Sequence, residues 1–101
     1  MPKVEIKYPS SLNAQTTFER VKDYLDKDEG IRKIDSSIQS QFNDGQKKGS
    51  LTGKKFSAQV SVVEAGAGSQ VVIEVDLPFM FAAFKGQVKS TIEKKLEKVL
   101  A

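Results

Sequence analysis

Val71-Val72-Ile73-Glu74-Val75-Asp76-Leu77-Pro78-Phe79-Met80-Phe81-Ala82-Ala83-Phe84 changes its period halfway. Val71, Ile73, Val75 and Leu77 take alternate positions, with Glu74 and Asp76 between them. A period of two marks a strand with one face buried and one in water. Pro78 closes that strand, and its fixed φ suits the first turn of a helix. Beyond it, Phe81, Phe84, Val88, Ile92, Leu96 and Val99 recur in steps of three and four. That spacing predicts a helix to the end of the chain, with one apolar stripe.

Upstream, Ala65-Gly66-Ala67-Gly68 reads as a hairpin loop. Phe56, Ala58, Val60 and Val62 alternate with Lys55, Ser57, Gln59 and Ser61, which predicts a second strand. Leu51, between Gly49 and Gly53, predicts a weak one. The inward phase shifts by an odd count between Leu51 and Phe56, so a bulge or turn is expected near Gly53. The number of strands between residues 45 and 64 stays open. Ile34, Ser36, Ile38, Ser40 and Phe42 alternate with Asp35, Ser37, Gln39 and Gln41, the latter set expected in water; Asn43-Asp44-Gly45 signals a turn.

Ala14, Phe18, Val21 and Leu25 give a helix. Ser10, Ser11 or Asn13 would cap it, Gly30 would end it, and Ile31 and Ile34 would pack just beyond. Val4, Ile6 and Tyr8 alternate with Lys3, Glu5 and Lys7 in a first strand that Pro9 is expected to end. The order is β-α-β-β-β-α. Strands joined by short turns form an antiparallel meander, and each has one apolar face to cover. The expected fold is α+β: a curved antiparallel sheet with two helices on one face, in one domain spanning residues 1–101.

Composition narrows the chemistry. The 101 residues are 39% hydrophobic and 29% charged, enough for one modest core under a well-solvated surface. The net charge of +3 is too mild to imply a nucleic-acid or membrane partner by itself. There is no cysteine and no histidine. Thiol nucleophiles, disulfides and ordinary zinc sites are excluded, and the commonest proton-transfer group is missing. No residues offer an activated nucleophile or a paired acid and base, so an enzyme is not expected, nor a cofactor or metal. Asp26, Asp28 and Glu29 lack calcium-loop spacing. Lys47-Lys48 and Lys54-Lys55 flank a Gly-rich bend without interleaved aromatics, which reads as a solvated turn. No stretch approaches the ~20 apolar residues of a membrane span. Met1 to Lys7 lacks the pattern of a signal peptide, so a cytoplasmic location is expected.

The last helix is the most informative element. Lys85, Lys89, Lys94, Lys95 and Lys98 oppose only Glu93 and Glu97. A basic amphipathic helix can lie on an anionic lipid surface or dock into a partner; it can equally be scaffold with its lysines in water. Its opening differs, because Phe79, Met80, Phe81, Ala82, Ala83 and Phe84 cover the whole circumference. A helix on a one-sided sheet cannot bury every side of itself. Phe79, Met80, Phe81 and Phe84 are therefore either wrapped core or an exposed contact patch for a surface, a partner or a second copy of the chain. A pocket between sheet and last helix is a further reading, with Tyr8, Phe42, Phe56 and Val88 as lining and an apolar ligand such as a fatty-acyl chain as occupant.

The whole chain resembles the bacterial polyhydroxyalkanoic acid system proteins, also called polyhydroxyalkanoate granule-region proteins. The likeness rests on length, element order, the opening Met1 to Ile6 followed by Ser11-Leu12, and above all the end. There a strand runs into Leu77, then Phe81 through Phe84-Lys85-Gly86, then Val88, Ile92 and Leu96. The helix opening departs from the family pattern in having Phe where leucine is commoner, and Gln46 to Lys55 is longer than typical. The resemblance implies association with polyester storage granules, no established biochemical activity, and a reduced version of the helix-grip folds that bind lipids.

Overall fold

The computed structural model describes residues 3–28, 33 and 35–101. Strand β1 (Lys3–Ser10) leads into helix α1 (Ala14–Lys27). Strands β2 (Gln39–Asn43), β3 (Lys48–Thr52), β4 (Ser57–Ala65) and β5 (Gly68–Asp76) follow, then a 3-10 segment (Phe79–Phe84) and helix α2 (Lys85–Val99). The five strands form one antiparallel sheet in the order β1-β5-β4-β3-β2. The stretch between residues 45 and 64 thus holds β3 and most of β4, joined by a turn at residues 53–56 where the phase shift is expected.

Register explains the core. Phe42, Gly49, Val60, Ile73 and Ile6 line up across all five strands, as do Ser40, Leu51, Ala58, Val75 and Val4. These rows share the face that both helices cover. The alternate row of Gln41, Ser50, Gln59, Glu74 and Glu5 looks the other way. Helix α1 packs across β4 and β5, while α2 packs on β1 and α1. Asn13 caps α1, its Oδ1 accepting from the Thr16 N–H at 2.8 Å. Phe18, Val21 and Leu25 enter the core beside Val71 and Leu96. Gly66, with φ +58°, sits at the first position of the two-residue β4–β5 loop, where a type II′ turn requires a positive φ.

A buried hydroxyl cluster fastens the start of α1, and apolar periodicity gives no sign of it. Ser10 Oγ and Ser69 Oγ each lie 2.8 Å from Thr17 Oγ1. The Leu12 N–H donates to Ser10 Oγ at 3.1 Å, and the Leu12 carbonyl accepts from Ser69 Oγ at 2.9 Å. Three elements therefore meet through satisfied polar groups, as burial demands.

Three expectations need correction. Pro9 does not end β1, which runs on to Ser10 with Pro9 opposite Gln70. An edge strand tolerates proline because its missing N–H is asked for on one side only. The strand expected from Ile34 to Phe42 begins only at Gln39, and Asp35 is buried instead of facing water. Gly30, Ile31 and Ile34 lie outside the described residues. The last helix is not α-helical from its start, since Phe79–Phe84 is a 3-10 segment. Pro78 is extended and precedes it, outside the first turn.

Asp35 has a local reason to be buried. Its carboxylate accepts from the Ser37 hydroxyl, from the Ser37 N–H at 3.0 Å and from the Lys55 N–H at 2.7 Å. A side chain at Gly53 would collide with that carboxylate and with Ile38, so glycine permits the approach. The Ser37 hydroxyl and the backbone donors hold the Asp35 pKa at about 2, below its usual value near 3.8, although burial opposes them. A depressed carboxylate pKa adds stability that is complete above the unfolded-state value and is lost as pH falls through the folded one. Asp35→Asn is therefore expected to lower the thermal midpoint at pH 7. The gap to the parent should narrow between about pH 4 and pH 2 in melts monitored by circular dichroism.

Candidate functional site

Leu77, the residue that follows β5, is buried, and the chain beyond it leaves the sheet at once. Phe79 is 82% exposed, Met80 77%, Phe84 50% and Phe81 37%. Only one other large hydrophobic among the described residues, Val63, is exposed, so four of five fall within six consecutive positions. Isolated exposed apolar side chains are ordinary; a contiguous set is a contact feature.

The 3-10 geometry sets how the set is displayed. Three residues per turn put positions i and i+3 one above the other. Phe81 and Phe84 accordingly stand together, ring centroids 6.2 Å apart and tilted by 56°. Phe79 shares an edge with Ala82, and Met80 with Ala83. The Phe81 N–H donates to the Pro78 carbonyl at 2.9 Å, an i to i+3 bond that begins the tighter winding. No side chain caps this start.

The stripe then descends into the molecule. Val88 and Ile92 are half-buried, Leu96 is fully buried and Leu100 nearly so. At the far end Arg20 donates to the carbonyl oxygens of Val99 and Ala101 at 3.3 and 3.1 Å. A cation there meets the negative end of the helix dipole. The core thus holds α2 by its last turns, and its first turns carry the apolar tip away from the sheet.

The residues expected to line a pocket lie at the margin of the core. Tyr8, Phe42, Phe56 and Val88 are partly buried and pack against the core. Phe42 meets Phe18 edge-on at 6.3 Å, and the Lys22 ammonium sits 5.9 Å from its ring centre. One open concavity of about 580 Å³ on the outer side of the sheet is bordered by Phe42 with Gln41, Gln59 and Glu74. Another, of about 680 Å³, lies between the helices beside Arg20, Tyr24, Lys95 and Val99. Tyr8, Phe56 and Val88 line neither. Burial, then the Asp28 carboxylate, pushes the Tyr24 hydroxyl well above the usual tyrosine range. Among the described residues no cluster of carboxylates could hold a metal ion, and no helix is long and apolar enough to cross a membrane.

Two lysine pairs come to the same end of the molecule as the tip. The turn at residues 53–56 joins β3 to β4 beside Ser57, and Ser57 pairs with Asp76, two residues before Pro78. Lys54 and Lys55 are therefore exposed at the end of the sheet from which the tip emerges. Lys85 and Lys89 follow the tip on α2 and are also exposed. None of the four makes an ion pair among the described residues.

Residues 4–100 match the sequence profile of the polyhydroxyalkanoic acid system proteins, and the chain belongs to that family. No curated protein sequence matches it. Among solved structures, TTHA0849 from Thermus thermophilus superposes with a TM-score of 0.62 at 11% identity, covering 98% of this chain and 92% of its own. Ara h 8.0201 superposes with a TM-score of 0.53 at 14% identity, covering 97% and 96%. At such identities the likeness shows the fold alone: an antiparallel sheet with two helices on one face, consistent with a reduced helix-grip arrangement.

Proposed function

We propose that this member of the polyhydroxyalkanoic acid system family is a non-enzymatic binding protein that seats its apolar tip on the surface of a polyester storage granule. The observation that carries the reading is the exposure of Phe79, Met80, Phe81 and Phe84 together on one projecting 3-10 segment. Family membership supplies the polyester context. The inventory supports binding over catalysis: histidine and cysteine are absent, and the one strongly depressed carboxylate among the described residues, Asp35, is occupied by backbone and hydroxyl donors.

The scaffold suits such a role. A tip that contributes little to the core can be desolvated against a surface without unfolding the domain. The buried end of α2 anchors the helix that carries it. Sedimentation with polyhydroxybutyrate particles tests the reading. The parent chain should pellet with the particles, and Phe79→Ser/Met80→Ser should stay in the supernatant. A parent chain that does not pellet overturns it.

A further inference from the structure

Beyond an apolar contact, the lysines around the tip point to the chemistry of the surface. The tip itself carries no charge, and the nearest charges along the chain on its helical side are Lys85 and Lys89, with no acidic residue before Glu93. Lys54 and Lys55 stand at the same end of the sheet, again without ion-pair partners among the described residues. Two carboxylates at this end of the sheet have other neighbours: Asp76 lies 4.0 Å from Lys3, and Asp35 is buried in its own donor set. Five lysines and two glutamates on α2 carry as much net positive charge as the whole chain. An apolar wedge with a cationic collar is the arrangement that binds a layer whose interior is apolar and whose surface is anionic.

We infer that the tip is an interfacial anchor selective for an anionic lipid layer. Phe79, Met80 and Phe84 enter the acyl boundary, and Lys54, Lys55, Lys85 and Lys89 contact the headgroup phosphates. This rests on the reading of the tip as the contact surface, and it adds a preference for negative charge beyond the apolar contact that bare polyester offers. Lysine is suited to the task, because its long stem lets the ammonium stay at headgroup level while the neighbouring aromatics go deeper. Attraction to the headgroups falls off within a Debye length of about 8 Å at physiological salt, so only cations close to the tip contribute.

The test uses the full chain and two vesicle populations, neutral phosphatidylcholine and phosphatidylcholine with phosphatidylglycerol, alongside lipid-free polyhydroxybutyrate particles. Binding is expected to favour the anionic vesicles strongly and to weaken on raising the salt. Lys85→Gln/Lys89→Gln should cut anionic-vesicle binding by about 25-fold, at roughly fivefold per lysine. The double variant should leave the thermal midpoint unchanged, which separates lost contact from lost fold. Equal binding to both vesicle types, or a glutamine variant that binds as well as the parent, overturns the inference. Binding to lipid-free particles but to neither vesicle type overturns it too, while leaving the granule reading standing. Binding to none of the three removes both.

Discussion

Phe79→Ser/Met80→Ser is expected to lower affinity for polyester particles by at least roughly a hundredfold while leaving the fold unchanged. Full burial of a phenylalanine or methionine side chain is worth about 1.5–3 kcal/mol, and each tenfold in affinity is about 1.4 kcal/mol. Two such side chains entering a surface even in part supply about 3 kcal/mol. The same substitutions cost the fold little, because at 82% and 77% exposure there is almost no packing to lose. Changes at sites of this kind usually stay within about 0.5 kcal/mol of stability. Partition with the particles and chemical unfolding, measured on the same preparation, check both halves.

Phe18→Ala is expected to have the opposite profile. Phe18 is fully buried, its ring meets Phe42 edge-on, and it stands on the face of α1 that covers the sheet. Removing it leaves a cavity in a core built from one sheet and two helices, which costs about 3–5 kcal/mol. A domain of this size has about 5–15 kcal/mol in total. At about 4–8 °C per kcal/mol, the midpoint should fall by about 12 °C or more. The tip lies outside that core, so folded protein at low temperature should still bind particles like the parent. A loss of stability below about 1 kcal/mol would mean that α1 does not close the sheet as described.

Period makes most of the architecture legible. Alternation at Val71, Ile73 and Val75, and helical spacing at Phe18, Val21 and Leu25, report directly which side chains are buried. Polar burial has no such period. Asp35 satisfies the alternation of an outward strand position, yet its carboxylate bonds a turn 20 residues away. Thr17, Ser10 and Ser69 likewise meet only once the fold is formed. Pro9 misleads because a single sequence does not say which strand lies at an edge.

The tip is partly legible. Its all-round apolar run shows that some of Phe79 to Phe84 have to point away from the sheet. Spacing leaves core and contact readings equally open, because the answer depends on where the sheet ends beneath the helix. The 3-10 winding is out of reach, since an α-helical stripe and a 3-10 edge share the i, i+3 pair Phe81 and Phe84. Lys54 and Lys55 look like an ordinary solvated turn. Only the strand register brings that turn to the end of the sheet from which the tip leaves.

The chain contains no tryptophan, so one introduced indole reports its own surroundings without background. Phe79→Trp places it on the tip, and Val63→Trp places a control at the only other exposed large hydrophobic among the described residues. On addition of polyhydroxybutyrate particles, emission from the indole at position 79 should move to shorter wavelength and become protected from an aqueous quencher, while the control at position 63 should not change. Particle binding that leaves the position 79 emission at its free-protein wavelength, or that shifts the control instead, would contradict the assignment of the tip as the contact surface.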